Sequence, residues 1–343
     1  MKLRAVLAGC GGMAKGWLRA VEEAPALRDR IEIAGLVDVD EDAARALAEE
    51  FGLLAATGCN LPAMLEATSA DLLFDVVPPS VRRPVVLSGL EHGCHVLSEK
   101  PMATSIEDAR FLISAAERAE RLHAVVQNRR FISGVRRIRA FLESRALGEL
   151  TGLHCDFFLA PHFGGFREEM DHPLLLDMAI HTFDAARFMA GKVPLAVYAL
   201  ETNPTGSWYA QGAAASAIFE FSDNVTFTYR GSWCADGAPT SWEAAWRFIG
   251  TKGSLIWDGA ESFEARVVAS EGKFLNDLTP VEVPKASEME KTHGHASVIA
   301  EFLAAIEEGR RPETDGTDNI KSLAMVFAAI ESAATQSRVE IRE

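Results

Sequence analysis

The sequence predicts an α/β protein: a doubly wound parallel sheet followed by a second domain of α+β type. Three observations predict it. Short, continuously apolar segments alternate with helical ones through the first third of the chain. Strands of that kind are buried on both faces, as in a parallel sheet covered by helices. A glycine-rich turn, Gly9-Cys10-Gly11-Gly12-Met13-Ala14, follows the first of these strands. Beyond Val193 the chain turns strand-rich, with hairpin signals and helices segregated from the strands.

In order, Leu3 to Ala8 reads as a strand and Met13 to Glu23 as a helix. Ile31 to Val37 is the second strand, and Glu41 to Phe51 a helix rich in Ala, Glu and Leu. Leu72 to Val77 is a strand stopped by Pro78-Pro79, followed by a helix from Val81 to Leu90. Cys94 to Ser98 is the fourth strand. Ser105 caps a helix reaching about Glu120, with Asp108 at its third position. His123 to Gln127 closes a first domain over residues 1–125, leaving 126–343 for the second. There, Phe131 to Ser144 and Asp177 to Met189 are helical, and Leu150 to Leu159 is strand-like. Ala215 to Phe221 and Val225 to Tyr229 flank the turn Ser222-Asp223-Asn224. Trp246 to Ile249 and Ser254 to Trp257 flank Gly250-Thr251-Lys252-Gly253. Two helices end the chain, Ala296 to Glu308 and Thr317 to about Ser337.

A chain of 343 residues, 48% hydrophobic and 24% charged, has apolar side chains for one core per domain. Its net charge of -15 argues against nucleic acid and anionic membranes as partners. No apolar run is long enough to span a bilayer. The five cysteines are widely spaced, with no CxxC pair, so they read as buried reduced thiols of a cytoplasmic protein.

The glycine turn carries the first chemical signal. Gly9 allows the tight turn, Gly11 lets backbone approach a pyrophosphate, and Ala14 permits close packing of helix on strand. The helix N-terminus that follows supplies N–H groups and a favourable dipole for phosphate. Asp38 ends the second strand, where a carboxylate accepts hydrogen bonds from ribose hydroxyls and repels a 2′-phosphate. No Arg or Lys follows it immediately, so NAD is preferred to NADP.

Glu99-Lys100-Pro101 ends the fourth strand. Pro101 pushes Lys100 toward an extended backbone, so the lysine sits in a stiff loop where a substrate would meet a cofactor. The alternative is a surface lysine that happens to precede a helix. Asp177 and His181 lie four residues apart on a predicted helix, with Asp184 near the same face. Imidazole titrates in the range a general acid or base needs, and a nearby carboxylate orients it. A surface ion pair or a core-facing histidine are the alternatives. No third ligand stands at metal spacing, so no metal is expected; His293-Gly294-His295 reads as a loop.

With Asn128-Arg129-Arg130-Phe131, Pro78 and Gly250 to Ser254, these motifs resemble those of one oxidoreductase family over essentially the whole chain. It is the family of glucose–fructose oxidoreductase, inositol dehydrogenase and the rhizopine-catabolism dehydrogenases. The resemblance implies a Rossmann domain, then a domain with a large, mostly antiparallel open sheet through which homodimers or homotetramers form. It implies NAD(P)-linked redox at a secondary alcohol of a sugar, cyclitol or related polyol. Carried over, Gly9, Gly11, Gly12, Met13, Ala14, Asp38, Pro78, Glu99 and Lys100 hold the dinucleotide. His181 is the acid/base, Lys100 polarises the reacting oxygen, and Asp177 positions a substrate hydroxyl. Arg129, with Lys100, Asp177 and His181, faces the substrate.

The chain departs from the family in places. Arg82 stands where many relatives have histidine, Leu174-Leu175-Leu176 replaces a glycine pair, and Ala179 stands where glycine is frequent. The segment Pro161 to Arg167 is expected in the substrate pocket, which makes His162, Arg167 and His172 candidates for hydroxyl or carboxylate binding. Trp233 and Trp242 are candidates to stack on a sugar ring or to pack. Other readings within the family are a glycoside hydrolase working by transient oxidation, a reductase of non-sugar carbonyls, and a dinucleotide-sensing regulator.

Overall fold

The computed structural model describes residues 2–285 and 294–343. It divides into two compact units. Of the described residues, the first holds 2–128, 294–320 and Glu343, and the second 129–285 and 321–342.

The first unit is built on a six-stranded parallel sheet. Its strands are β1 (Leu3–Ala8), β2 (Ile31–Val37), β3 (Ala56–Gly58), β4 (Leu72–Asp75), β5 (His95–Ser98) and β6 (His123–Val125), ordered β3-β2-β1-β4-β5-β6. The central strands are fully buried: Val6, Leu7, Leu73, Phe74, Val96 and Leu97 are all 0% exposed. Helices cover both faces, so continuous apolar runs are what these positions demand. Strand order reverses between β1 and β4, and the carboxyl edge there is where a doubly wound sheet opens a crevice for ligands. The short strand Ala56–Gly58 and the helix Leu61–Thr68 are not foreseen by the sequence reading. Glycine and alanine in a three-residue edge strand carry no alternating apolar signal.

Residues 294–320 group with this first unit, whereas the sequence reading places them in the second. Local contacts explain the difference. Thr314 O accepts from Val125 N–H at 3.0 Å, extending the β6 edge, and Arg30 pairs with Glu307 at 2.7 Å. The helix Gly294–Glu308 includes His295, which is therefore helical rather than in a loop. His293 lies outside the described residues.

The second unit carries a nine-stranded, mostly antiparallel sheet. It consists of β7 (Leu150–Phe158), β8 (Pro194–Thr202), β9 (Ala214–Phe221), β10 (Val225–Ser232), β11 (Ala245–Gly250), β12 (Gly253–Trp257), β13 (Phe263–Ser270), β14 (Asp277–Val281) and β15 (Val339–Glu340). The order is β14-β13-β12-β11-β7-β10-β9-β8-β15, and the β7–β10 pair is parallel. Both expected hairpins form: β9 with β10 about Ser222–Asn224, and β11 with β12. Val225, Phe227 and Tyr229 face the core, where the Phe183 ring meets Phe219 edge-on at 4.7 Å. Tyr198, Leu200 and Ile218 point from the other face and are about half exposed, at 50%, 55% and 52%.

No helix among the described residues is long and apolar enough to cross a membrane. Cys10, Cys94 and Cys155 are buried, as expected of structural thiols, but Cys59 is exposed.

Candidate active site

In the first unit the chain leaves β1 through Gly9. Its φ of 95° lies in the left-handed region, and an added Cβ would sit 2.8 Å from the Val76 carbonyl. Only glycine fits this turn. A Cβ on Gly11 or Gly12, in contrast, would meet nothing within 4 Å. The space above these two residues is thus open, as a bound pyrophosphate needs. The helix Gly12–Glu23 starts there with no side-chain cap and no acid in its first turn among the described residues. Its amino-terminal N–H groups and dipole are suited to an anion. Ala14 is fully buried beneath the turn, while Met13 is partly exposed at its rim.

Asp38 is half-buried at the end of β2. Its Oδ2 accepts from Cys10 N–H at 2.7 Å and its Oδ1 from Asp40 N–H at 3.0 Å. The carboxylate is therefore oriented by the glycine turn itself, and each oxygen has a further lone pair for a ribose hydroxyl. The nearby Arg45 is turned to Glu41 and Asp42, at 3.3 and 2.7 Å. These residues fit a dinucleotide, with an acid held beside the turn at the end of β2.

Glu99 behaves differently from the other residues named for the cofactor. Its Oε1 accepts from Trp17 Nε1 at 2.8 Å and lies 3.0 Å from His295 Nε2, and its Oε2 accepts from Lys100 N–H at 3.1 Å. Burial raises its pKa, but the hydrogen bond and charge of His295 and the bond from Trp17 outweigh that and hold it below the usual carboxylate range. Glu99 joins the helix of the glycine turn, the lysine loop and His295. Lys100 is half-buried beyond it, and the Lys100–Pro101 peptide bond is cis. Pro78 caps the helix Pro79–Glu91 at the end of the β4 loop.

In the second unit, Asp177 lies in a π-helical turn, Leu174–Ala179, which runs into the α-helix Ile180–Ala190 that carries His181. The sequence reading has a single α-helix through both. Wider turns of this kind are often found at functional sites. Asp177 Oδ2 accepts from Arg167 Nε at 2.8 Å, and the Arg167 guanidinium lies over the rings of Phe166 and Phe163 at 4.8 and 5.2 Å. Two candidates from different segments are thus brought together. His162 stacks on Trp208 at 3.7 Å, and Pro161 O accepts from Trp208 Nε1 and Tyr209 Oη at 3.2 and 2.7 Å. The loop is therefore held by aromatic rings far along the chain. His172 Nδ1 lies 2.5 Å from Glu201 Oε2. Trp233 is buried against Phe163 and Tyr209, so it packs, whereas Trp242 is 46% exposed.

His181 is nearly buried and lines a small cavity with Arg129, Trp242 and Glu243. Arg129 pairs with Glu243, whose carboxyl burial pushes up and Arg129 pulls down, with burial the larger effect. Sequence reasoning missed Glu243, Glu201 and Trp208, since each acts through a partner more than 25 residues away. Asp184 does not join this group. It is fully buried, accepting from Arg130 Nε and Nη2, both at 2.6 Å, and from Ser322 Oγ at 2.6 Å. Among the described residues no cluster of His, Cys, Asp and Glu is arranged to hold a metal.

Two family models match the chain. The oxidoreductase family with an NAD-binding Rossmann fold matches residues 3–127, and the GFO/IDH/MocA C-terminal domain matches residues 135–256. The chain belongs to this oxidoreductase family. A D-apiose dehydrogenase of Rhizobium rhizogenes is 25% identical over 99% of the chain and 98% of that protein. An oxidoreductase from Agrobacterium radiobacter, solved with NAD+, L-tartaric acid and magnesium, superposes with a TM-score of 0.86 at 22% identity, covering 99% of both chains. A levoglucosan dehydrogenase solved with NADH and levoglucosan gives 0.84 at 18% identity, covering all of both. The two solved structures share the fold. With an NAD-binding Rossmann fold and relatives named dehydrogenases and reductases, this family member is an oxidoreductase.

Proposed function

We propose that this oxidoreductase uses NAD in preference to NADP and interconverts a secondary alcohol and a ketone on a sugar, cyclitol or related polyol. The observation that carries the cofactor choice is Asp38, anchored by Cys10 N–H at 2.7 Å beside the open glycine turn. The substrate class is supported by a D-apiose dehydrogenase that matches nearly end to end.

Gly9, Gly11, Gly12, Met13 and Ala14 would hold the pyrophosphate, Asp38 the adenosine ribose, and Pro78 and Lys100 the nicotinamide side. When bound, the dinucleotide supplies the hydride acceptor or donor. His181 takes the hydroxyl proton as the carbon–oxygen double bond forms, and returns it in reduction. Lys100 donates a hydrogen bond to the same oxygen and stabilises the charge that develops on it. Asp177, oriented by Arg167, binds a substrate hydroxyl, with Arg129 and His162 as further contacts. Copies of the chain would associate as dimers or tetramers through the open face bearing Tyr198, Leu200 and Ile218.

Calorimetric titration with NAD(H) and NADP(H) tests the cofactor, and absorbance at 340 nm with D-apiose, myo-inositol and levoglucosan tests the substrate class. Tighter NAD(H) and net NADH formation are expected. Tighter NADP(H) would overturn the reading of Asp38, and inertness toward all polyols and their ketones would overturn the substrate class. Light scattering of Ile218→Asp should show smaller particles than wild type; unchanged mass would remove this face from the assembly.

A further inference from the structure

Arg82 is the departure that the proposed chemistry leaves unused. Its side chain is 1% exposed, deep at the carboxyl edge of the parallel sheet. Nε donates to Asp75 Oδ2 at 2.7 Å, Nη2 to Val77 O at 2.6 Å, and Nη1 to Pro101 O. One planar fork therefore ties the loop after β4 to the turn that follows Lys100. Both partners sit where position matters. The Val76–Val77 stretch presses on Gly9, whose missing Cβ would fall within 2.9 Å of Val77 N. Asp75 O accepts from Glu99 N–H at 2.8 Å, so the same strand end also holds the residue before the lysine.

The pair has company. Asp75 is 0% exposed, and its carboxyl interacts with the Ser98 hydroxyl as well as with Arg82. Ser98 Oγ lies 3.0 Å from His123 Nε2, and both residues are buried. Arg82, Asp75, Ser98 and His123 thus form a polar chain through an otherwise apolar core, from the last residues of β4 and β5 to the first residue of β6. Burying a charged pair costs more desolvation than hydrophobic residues would, so stability alone is a poor reason to keep it. What the pair provides is direction: a guanidinium with fixed donors reaches two loop carbonyls that no aliphatic side chain could hold.

We infer that Arg82 is a positioning residue, fixing the Lys100–Pro101 turn against the β4 loop so that the lysine is held ready for the reacting oxygen. The inference rests on the role of Lys100 proposed above. Lysine at this position keeps a charge against Asp75 but lacks the fork, so it cannot serve both carbonyls.

The test uses the full chain with NADH as the binding probe and D-apiose as the substrate. In Arg82→Met, amide hydrogen exchange should rise about tenfold at Val76, Val77, Lys100 and residues 102–104, and stay unchanged in β1 and β2. NADH affinity should weaken by no more than about tenfold, since Pro78 and Lys100 border the nicotinamide, and kcat should fall further, about 10²-fold, the usual cost of a misplaced reacting group. Arg82→Lys should lie between. In the Lys100→Met background, adding Arg82→Met should lower kcat less than about threefold, because the two act through one group. Additive losses, or exchange that is unchanged at both loops or raised everywhere, would overturn the inference. If Lys100→Met keeps full kcat, or D-apiose is not turned over, the catalytic reading is what fails for that probe, and the exchange pattern still decides the clamp. Should Arg82→Met not fold, Arg82→Met with Asp75→Asn removes the orphaned carboxylate and carries the same tests.

Discussion

Both units bury an arginine–aspartate ion pair, and the two are put to different ends. Arg82 and Asp75 lie seven residues apart, and the spare donors of Arg82 go to carbonyls of two loops at the edge of the parallel sheet. Arg130 and Asp184 lie 54 residues apart, and the spare capacity of Asp184 goes to Arg187 and Ser322. The first pair reaches outward to the backbone of two loops; the second closes on itself and pins a helix. Asp184 stands three residues after His181 on that helix. Chemically identical pairs thus place loops in one unit and hold a helix in position in the other, and the partners of the remaining donors and lone pairs decide which.

The largest effect expected is on the helix itself. His181→Ala should lower turnover by about 10²–10⁴-fold, the usual worth of a positioned acid/base. NAD affinity should barely change, since His181 belongs to the unit without the glycine turn. Loss of NAD binding in that variant, measured by calorimetry, would contradict the role.

Asp184→Ala removes the buried carboxylate that Arg130 and Arg187 share. Urea unfolding should show a loss of about 3–5 kcal/mol, as when one partner of a buried pair is removed. A loss below about 1 kcal/mol would mean that the pair is not the pin described, and the contrast between the units would collapse.

The polar chain of the first unit predicts acid sensitivity. Burial, helped by the charge of Arg82, pushes the His123 pKa down to about 3. In the unfolded chain it titrates near 6.5. The unfolded state therefore binds the proton first, and stability is full above about pH 6.5 and falls as pH drops toward 3. The loss is of the order of a few kcal/mol. His123→Gln should flatten the dependence of Tm on pH between 6 and 4; an unchanged slope would show that His123 is protonated or solvated in the folded state.

Smallest is the expected effect of Asp38→Ala, a shift of about tenfold in preference toward NADP, seen in paired kcat/KM values. An unchanged preference would mean that Asp38 serves the turn alone, through Cys10 N–H.

Much of the first unit was legible because its signals are local. A glycine that must adopt positive φ, an acid at a strand end and a proline after a lysine each act within a few residues. The hairpins of the second unit were legible for the same reason. The split of Asp177 and His181 between a π turn and an α-helix was not, since helical pattern does not distinguish the two. Nor did the motif spacing reveal that Asp184 faces away from the site, toward Arg130.

By itself, then, the sequence determined the fold class, the glycine turn, the acid at the end of the second strand and the residue types available for acid/base work. Periodicity, glycine and capping act over one or two turns of chain, so sequence carries them directly. Only the tertiary structure decided the partners: Arg167 for Asp177, Glu243 for Arg129, Trp17 and His295 for Glu99, and two loop carbonyls for Arg82. A buried charge must find its counterpart, but which of several carboxylates or carbonyls lies within 3 Å depends on how distant segments pack. Pairs separated by tens of residues, such as Arg129 with Glu243 and Glu99 with His295, leave no mark in local composition.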